Sequence, residues 1–161
     1  MVCACTASID AMTINELRSD DEINTAFPLM RALRDRIEPG TFLHEVRRQQ
    51  ADGYELIGAW VEGRLVALAG VRRAHTLSRG EHLFIDDLVT DSSLHAQGYG
   101  SALVRWLAVR AAAEGIPRIH LDSRNTARGF YERLGFIFQT SIPCWLDISK
   151  YLAQAGPTLY P

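Results

Sequence analysis

Residues 88–103 read LVTDSSLHAQGYGSAL, and this stretch decides the fold class. An apolar run of strand type ends here, a loop with two glycines follows, and a helix-forming run begins. Such a junction directs several backbone N–H groups of the first helical turn at one point, with the positive end of the helix dipole behind them. A phosphate group binds there without a basic side chain. Gly98 and Gly100 let the backbone approach an anion closely, so the stretch predicts an anion site.

Two familiar phosphate motifs do not fit these residues. A P-loop requires Lys and then Ser or Thr after its last glycine, whereas Ser101, Ala102 and Leu103 follow Gly100. A dinucleotide-binding fingerprint requires a third glycine at position 103 and a strand nearer the N-terminus. The alternative without a ligand is a plain strand–turn–helix connection, in which the glycines serve tight packing.

The rest of the chain predicts one domain of mixed α/β (α+β) class. Hydrophobic periodicity, glycine turns and helix caps delimit the elements. The predicted strands are residues 13–17, 54–61, 65–72, 83–90, 118–122, 136–140 and 144–148. The predicted helices are residues 20–37, 41–52, 101–115 and 126–134. Ser19 and Glu22 form a capping box before the first helix, and Pro28 should kink or split that helix. Residues 74–81 are predicted to be a polar loop.

The composition excludes several classes of protein. The chain has 161 residues, 47% of them hydrophobic, and a net charge of −2. A nucleic-acid binder needs a basic face, and a membrane span needs roughly 20 apolar residues, so we expect neither partner and a cytoplasmic location. Cys3, Cys5 and Cys144 are too few for a disulfide framework or a zinc site, so no metal is predicted. The expected organisation is an irregular leader, the domain and a C-terminal tail, at residues 1–12, 13–148 and 149–161.

The pattern His95-x-x-Gly98-x-Gly100 resembles the Arg/Gln-x-x-Gly-x-Gly/Ala signature of the GNAT superfamily of acetyl-CoA-dependent acetyltransferases. Its flanks agree. IDDLVTD at residues 85–91 resembles the strand before that signature, and ARGFYERLGF at residues 127–136 resembles a later A-x-x-F-Y-E-x-x-G-F helix. The chain departs from the family pattern at His95, where Arg or Gln is usual, and at Ala96, where Gly is frequent.

The resemblance implies a mixed, mostly antiparallel central sheet of about six to seven strands, splayed at a central parallel pair, with helices on both faces. It also implies that acetyl-CoA, the cosubstrate, lies between the strands at residues 83–90 and 118–122. A backbone amide in residues 87–89 would then polarise the thioester carbonyl, as an oxyanion hole does. The implied cofactor-binding residues are Leu88, Val89, His95, Ala96, Gln97, Gly98, Tyr99, Gly100, Ser101 and Asn125.

Acetyl transfer to an amine requires a proton acceptor and a proton donor. Asp86 and Asp87 interrupt an otherwise apolar strand and are the candidate bases. Because successive strand residues alternate in direction, only one of the two should face the acceptor, and Asp87 is favoured. The alternative is that both carboxylates are salt-bridged or cap loops. Tyr131 matches the tyrosine that this family places near the CoA sulfur, so it is the candidate acid for the leaving thiolate, with core packing as the alternative.

The resemblance predicts direct acetyl transfer to an amine of a small molecule or a peptide. A CoA-binding sensor or regulatory module without turnover is the first alternative, and a non-catalytic interaction domain is the second. A homodimer is left open as a further partnership. The arginines of the early helices are interpreted as a solvated charged face, from which one or two contact an acidic substrate in the alternative interpretation. They are Arg31, Arg34, Arg36, Arg47 and Arg48.

Overall fold

A computed structural model describes residues 11–94 and 96–155 of the chain. The chain divides into two compact units, Met1–Asp122 and Ser123–Pro161, and each is described by itself. Most of the leader predicted at residues 1–12 and the end of the predicted tail lie outside the described residues. The first unit holds the sheet, and the second holds the helix that carries Tyr131.

The first unit is built around one sheet of five strands in the order β1-β2-β3-β4-β5. Neighbouring strands run antiparallel except β4 and β5, which run parallel. This confirms the mixed sheet with a parallel pair. The strands are β1 (Thr13–Glu16), β2 (Tyr54–Val61), β3 (Arg64–Thr76), β4 (Gly80–Thr90) and β5 (Ile119–Leu121).

Helices cover both faces of this sheet, as predicted. Alternate strand residues point to opposite faces, so each strand contributes side chains to two hydrophobic cores, one on each face of the sheet. Leu56 and Leu68 pack with the three early helices, and Ile57 and Ala69 pack with the long one. The helices are α1 (Asp20–Thr25), α2 (Phe27–Leu33), α3 (Pro39–Ala51) and α4 (Tyr99–Ala113).

Local signals place the early helices where the sequence predicts them, with two shifts. The capping box is formed, since the Glu22 N–H donates to Ser19 Oγ at 3.2 Å and the Ser19 N–H donates to Glu22 Oε2 at 2.9 Å. Of the two predicted outcomes at Pro28, the structure shows the split, since α1 ends at Thr25 and α2 begins at Phe27. The next helix begins at Pro39, two residues before its predicted start, because proline is well tolerated in the first turn.

The loop predicted at residues 74–81 is wrong. β3 runs to Thr76 and β4 begins at Gly80, so only residues 77–79 turn. The two strands remain paired out to Thr76 and Gly80, and Arg73 forms an ion pair with Glu81. This outer ribbon extends past the core, so its side chains are polar. Polarity alone does not distinguish such a ribbon from a loop.

The second unit contains α5 (Arg128–Arg133) and α6 (Ile148–Ala155). The strands predicted at residues 136–140 and 144–148 are absent from the described part of this unit, and the sheet therefore has five strands rather than six or seven. A strand requires a hydrogen-bonded neighbour, which an apolar sequence pattern cannot guarantee. No helix in the described residues is long and apolar enough to cross a membrane.

Candidate active site

The parallel pair in the first unit separates halfway along β4. Pairing joins Leu83 to Ile119 and Ile85 to Leu121, where β5 ends. β4 continues to Thr90 and pairs only with β3 over that length. A strand paired on one side carries alternate N–H and C=O groups that its ladder does not use. Within this unit, the second half of β4 therefore has backbone donors and acceptors available to a ligand.

A β-bulge marks the point of separation. Val71 pairs with Ile85 and Gly70 pairs with Asp87, so Asp86 is an extra residue on β4. A bulge bends its strand and increases the local twist. This bulge follows directly after the last pair between β4 and β5, which is the parallel pair at which the resemblance implies a splay.

The bulge also corrects the expectation that Asp86 and Asp87 face opposite ways. Arg72 donates to Asp86 through Nε at 2.7 Å and Nη2 at 3.2 Å, while the Tyr54 hydroxyl donates to Asp87 Oδ2 at 2.9 Å. Tyr54 and Arg72 are register partners, so they lie on the same face of the sheet. Both carboxylates consequently face the side of the early helices, because the extra residue interrupts the alternation.

Asp87 is the centre of a buried polar network. Its Oδ1 accepts from Arg34 Nε at 2.8 Å, and its Oδ2 accepts from Tyr54. Burial, followed by the charge of Asp87, raises the pKa of the Tyr54 phenol well above its ordinary value. The residue opposite Asp87 is Gly70, and a Cβ there would lie 1.9 Å from the Tyr54 hydroxyl oxygen. Tyr54 therefore reaches Asp87 by crossing directly over Gly70.

The loop after β4 is fixed by Asp91. Its N–H donates to the Val66 carbonyl at 2.9 Å, and its Oδ1 accepts from the Ser93 N–H at 2.9 Å and from Ser93 Oγ at 2.7 Å. Arg64 pairs with the other carboxylate oxygen. Ser93, together with Arg64, lowers the pKa of Asp91 from 3.8 to about 2. The loop is therefore held in place on its approach to α4.

Helix α4 begins at Tyr99, two residues before its predicted start, and no side chain caps it. The N-cap is Gly98 with φ of 84°, and Ala96 also has a positive φ, 65°. Gly100 is buried and Ser101 half-buried in the first turn, where backbone N–H groups have no acceptor within the helix. The predicted cradle of Ala96, Gln97, Gly98, Tyr99, Gly100 and Ser101 thus occupies one turn and helix start. His95 lies outside the described residues.

The remaining predicted site residues are spread over both units. Leu88 packs at the edge of the core beneath α4, and Val89 packs with the early helices on the opposite face. In the second unit, Asn125 is exposed at the start of a short 3₁₀ turn. Tyr131 is buried, with its ring centroid 5.0 Å from that of Phe130. Burial raises the pKa of Tyr131, so its phenol holds its proton at neutral pH.

Arg34 and Tyr54 belong to this site, although the sequence predicts neither of them as a site residue. Arg34 is one of the arginines interpreted as a solvated charged face, yet it binds the bulge, whereas Arg47 of the same group donates to Gln50 and Asp20. Neither Arg34 nor Tyr54 stands in a motif. The signal that would have found them is the pair of aspartates itself, since partly buried carboxylates need cationic or hydroxyl partners.

The histidines form no metal site among the described residues. His82 is buried, with its Nδ1 2.8 Å from the Gly80 carbonyl oxygen, and its ring packs against His120 at 4.9 Å between centroids. Burial lowers the pKa of His120. This pair lies where β4 and β5 are still joined, before the bulge.

Comparisons with known proteins agree with this geometry. The family model described as Acetyltransferase (GNAT) family matches residues 16–136. An uncharacterized N-acetyltransferase of Bacillus subtilis, YhdJ, is 29% identical over 132 residues, which cover 79% of this chain and 93% of that relative. A glucosamine 6-phosphate N-acetyltransferase of Trypanosoma brucei brucei is 34% identical over 76 residues, 46% of this chain and 52% of that protein.

Solved structures share the fold at low identity. An acetyltransferase of Trypanosoma brucei superposes with a TM-score of 0.70 at 22% identity, covering 85% of this chain and 99% of that one. The aminoglycoside N-acetyltransferase AAC(6')-Iy, solved in complex with CoA, superposes with a TM-score of 0.74 at 15% identity, covering 85% and 95%. With the family match over three-quarters of the sequence, the chain belongs to the acetyltransferase (GNAT) family and is an acyltransferase of the N-acetyltransferase type.

Proposed function

We propose that this protein transfers the acetyl group of acetyl-CoA directly to the amine of a small molecule. One observation carries the proposal. The bulge at Asp86 gives β4 a half with one unpaired side, and that half leads into a helix start that no side chain caps. The first feature suits the amides of a pantetheine arm, and the second suits a pyrophosphate.

The donor would bind through backbone groups. The free side of β4 around Leu88 and Val89 offers hydrogen bonds to the pantetheine, and one amide there would stabilise the oxyanion of the tetrahedral intermediate. Residues 96–101 would hold the pyrophosphate. The CoA complex of AAC(6')-Iy supports this choice of donor through the shared fold alone.

The acceptor would be an amine that must lose a proton before it attacks. A lysine-like amine has a pKa near 10.4, so about one molecule in 2,500 is neutral at pH 7, a gap of roughly 4–5 kcal/mol. Asp86 suits the role of base better than Asp87, because its side chain is 26% exposed against 11%. Arg72 occupies only two of about four lone-pair positions on that carboxylate, which leaves room for an amine or a water.

Replacing this base tests its role. Asp86→Asn should lower kcat/KM about 10²–10⁴-fold at pH 7, and the loss should shrink as the pH rises toward the pKa of the acceptor amine. Glu81→Gln is the matched control, because it breaks the neighbouring exposed ion pair with Arg73 on the same hairpin. A pH–rate profile for Asp86→Asn parallel to the wild-type profile would exclude Asp86 as the base.

Tyr131 would protonate the departing CoA thiolate. Its raised pKa keeps the phenol protonated until the thiolate forms. Tyr131→Phe should lower turnover about 10²–10⁴-fold with little change in CoA affinity. The neighbouring Phe130→Leu is the control for packing alone. Wild-type turnover in Tyr131→Phe would assign Tyr131 to packing.

A screen of amines with a thiol-release assay tests the function itself. Amino sugars and their phosphates come first, because one relative is named for glucosamine 6-phosphate and a fold neighbour for aminoglycosides. Peptides with free N-termini and lysines follow as the second arm. CoA binding without thiol release from any amine would instead support a CoA-binding sensor, and no binding at all would support an interaction domain.

A further inference from the structure

We infer that Arg34 is a positioning residue, a clamp that holds the β4 bulge in the shape that acetyl transfer requires. The inference rests on the proposed function for its catalytic consequence, but the clamp itself is visible in the contacts. Arg34 Nη2 donates to the main-chain oxygen of Asp86 at 2.7 Å, and its Nε donates to Asp87 Oδ1 at 2.8 Å. One planar guanidinium thus binds both residues of the bulge.

The bulge needs such a partner. An extra residue in a strand is left outside the regular ladder, so its backbone groups require hydrogen bonds from elsewhere. At the Asp86 carbonyl, that requirement is met by the side chain of Arg34, the residue that caps the C-terminal end of α2. Arginine suits this task because its fork presents two donors in a fixed plane, whereas a lysine ammonium is a single point of charge.

Both ends of the clamp are anchored. Arg34 closes the C-terminal end of α2, where its N–H donates to the Met30 carbonyl at 2.8 Å, and Met30 is buried. At the other end, the Tyr54 hydroxyl holds the second oxygen of Asp87 from the interior. Asp87 is therefore fixed between a buried phenol and the end of a packed helix, and it cannot turn without breaking one of two contacts.

The segment that this clamp fixes is the one that the reaction would use. Residues 87–89 follow the bulge directly and lie beyond the end of β5. An oxyanion donor must be within tenths of an ångström of its position, and a misplacement of 1 Å costs about 10²-fold in rate. The Arg34 clamp would therefore contribute to kcat, while the grip of α4 on the cofactor would be independent of it.

The test uses the full chain with Arg34→Ala and Arg34→Lys. Arg36→Ala and Arg36→Lys are the matched controls, because Arg36 is exposed on the same connection and forms no hydrogen bond or ion pair with another described residue. We expect Arg34→Ala to lower kcat about 10–100-fold with KM for acetyl-CoA within about threefold, and methylguanidinium to restore part of the loss. Arg34→Lys should lose less, and the controls nothing.

Amide spectra separate this inference from the proposed function. In ¹⁵N-correlation spectra without any substrate, both Arg34 variants should shift the amide signals of residues 86–89, and the Arg36 variants should not. This readout holds even where no amine is acetylated. Unchanged signals for residues 86–89 in folded Arg34→Ala would overturn the clamp, as would wild-type kcat. If Arg34→Ala does not fold, Arg34→Lys decides by the same two measurements.

Discussion

Helices α1 and α4 begin in opposite ways, although both follow a strand on the same sheet. At α1, the Ser19 side chain binds the Glu22 N–H and the Glu22 carboxylate binds the Ser19 N–H, so the helix start is closed by its own residues. At α4, the N-cap is a glycine in a left-handed conformation, which has no side chain to cap the helix. The start of α1 is closed by its own side chains, whereas the N–H groups of Gly100 and Ser101 in α4 have no acceptor within the helix.

The start of α1 is therefore built for stability, whereas the start of α4 is suited to binding a ligand. Replacing a capping serine by alanine costs a helix roughly 1 kcal/mol, whereas glycine, the N-cap residue of α4, costs only about a few tenths of that relative to serine. Such a cost is expected where a ligand rather than a side chain completes the helix. The comparison therefore predicts different consequences for changes at the two helices.

The largest effect is expected at α4. Gly100→Glu places a bulky anion at the buried first turn, where it excludes the pyrophosphate by volume and by charge. We expect CoA affinity to fall more than about 100-fold in isothermal titration calorimetry, which is about 2.7 kcal/mol at 25 °C.

Gly40→Glu is the matched control for this change. Gly40 lies in the first turn of α3, and a Cβ there would meet nothing within 4 Å. It adds the same charge at another helix start, and CoA affinity should not change. Equal affinity in a folded Gly100→Glu protein would end the assignment of the anion site to α4.

The next effect is expected at α1, and it concerns stability alone. Ser19→Ala removes the cap and should lower the free energy of unfolding by about 1 kcal/mol, with CoA affinity unchanged. Ser101→Ala, in the first turn of α4, caps nothing and should cost less. Urea denaturation of the two variants measures both values. If Ser101→Ala lowered the free energy of unfolding more than Ser19→Ala does, the start of α4 would be the side-chain-capped one, contrary to the comparison.

The smallest effect is a dependence on pH at the loop before α4. The pKa of Asp91 is lowered from 3.8 to about 2, so its contribution to stability is complete above pH 3.8 and is lost as the pH falls toward 2. Asp91→Asn cannot titrate. The difference in free energy of unfolding between wild type and this variant should therefore narrow from pH 5 to pH 2, and a constant difference would exclude Asp91 as its source.

Sequence reasoning succeeded where the signal is local. The capping box at Ser19 and the glycine loop before α4 each lie within a few residues of the structure that they determine. In each case, a residue within the segment itself meets the backbone's need, either by capping free N–H groups or by adopting a positive φ. The family signature also allowed the parallel pairing of β4 and β5 to be predicted, because the motif implies the order of several elements along the chain.

Sequence reasoning failed where a contact joins residues that are far apart along the chain. The extra residue at Asp86 is a matter of register against β3, and nothing in the run IDDLV shows which residue is skipped. Arg34 lies 53 positions from Asp87, so it looked like any arginine of a polar helix face. The strands predicted at residues 136–140 and 144–148 failed for the same reason, because pairing depends on a partner that local pattern does not reveal.

The passage of Tyr54 over Gly70 has a consequence for how this sequence can diverge. Alanine at position 70 would overlap the Tyr54 ring, since its Cβ would lie 1.9 Å from the hydroxyl oxygen and 2.4 Å from the carbon that bears it. Removing only the hydroxyl leaves the second overlap, so phenylalanine at position 54 does not relieve it. Substitution at 70 becomes tolerable only after position 54 has lost its ring, and with it the hydrogen bond to Asp87. Positions 54 and 70 should therefore covary among descendants of this chain, and the order of their substitution is constrained by epistasis.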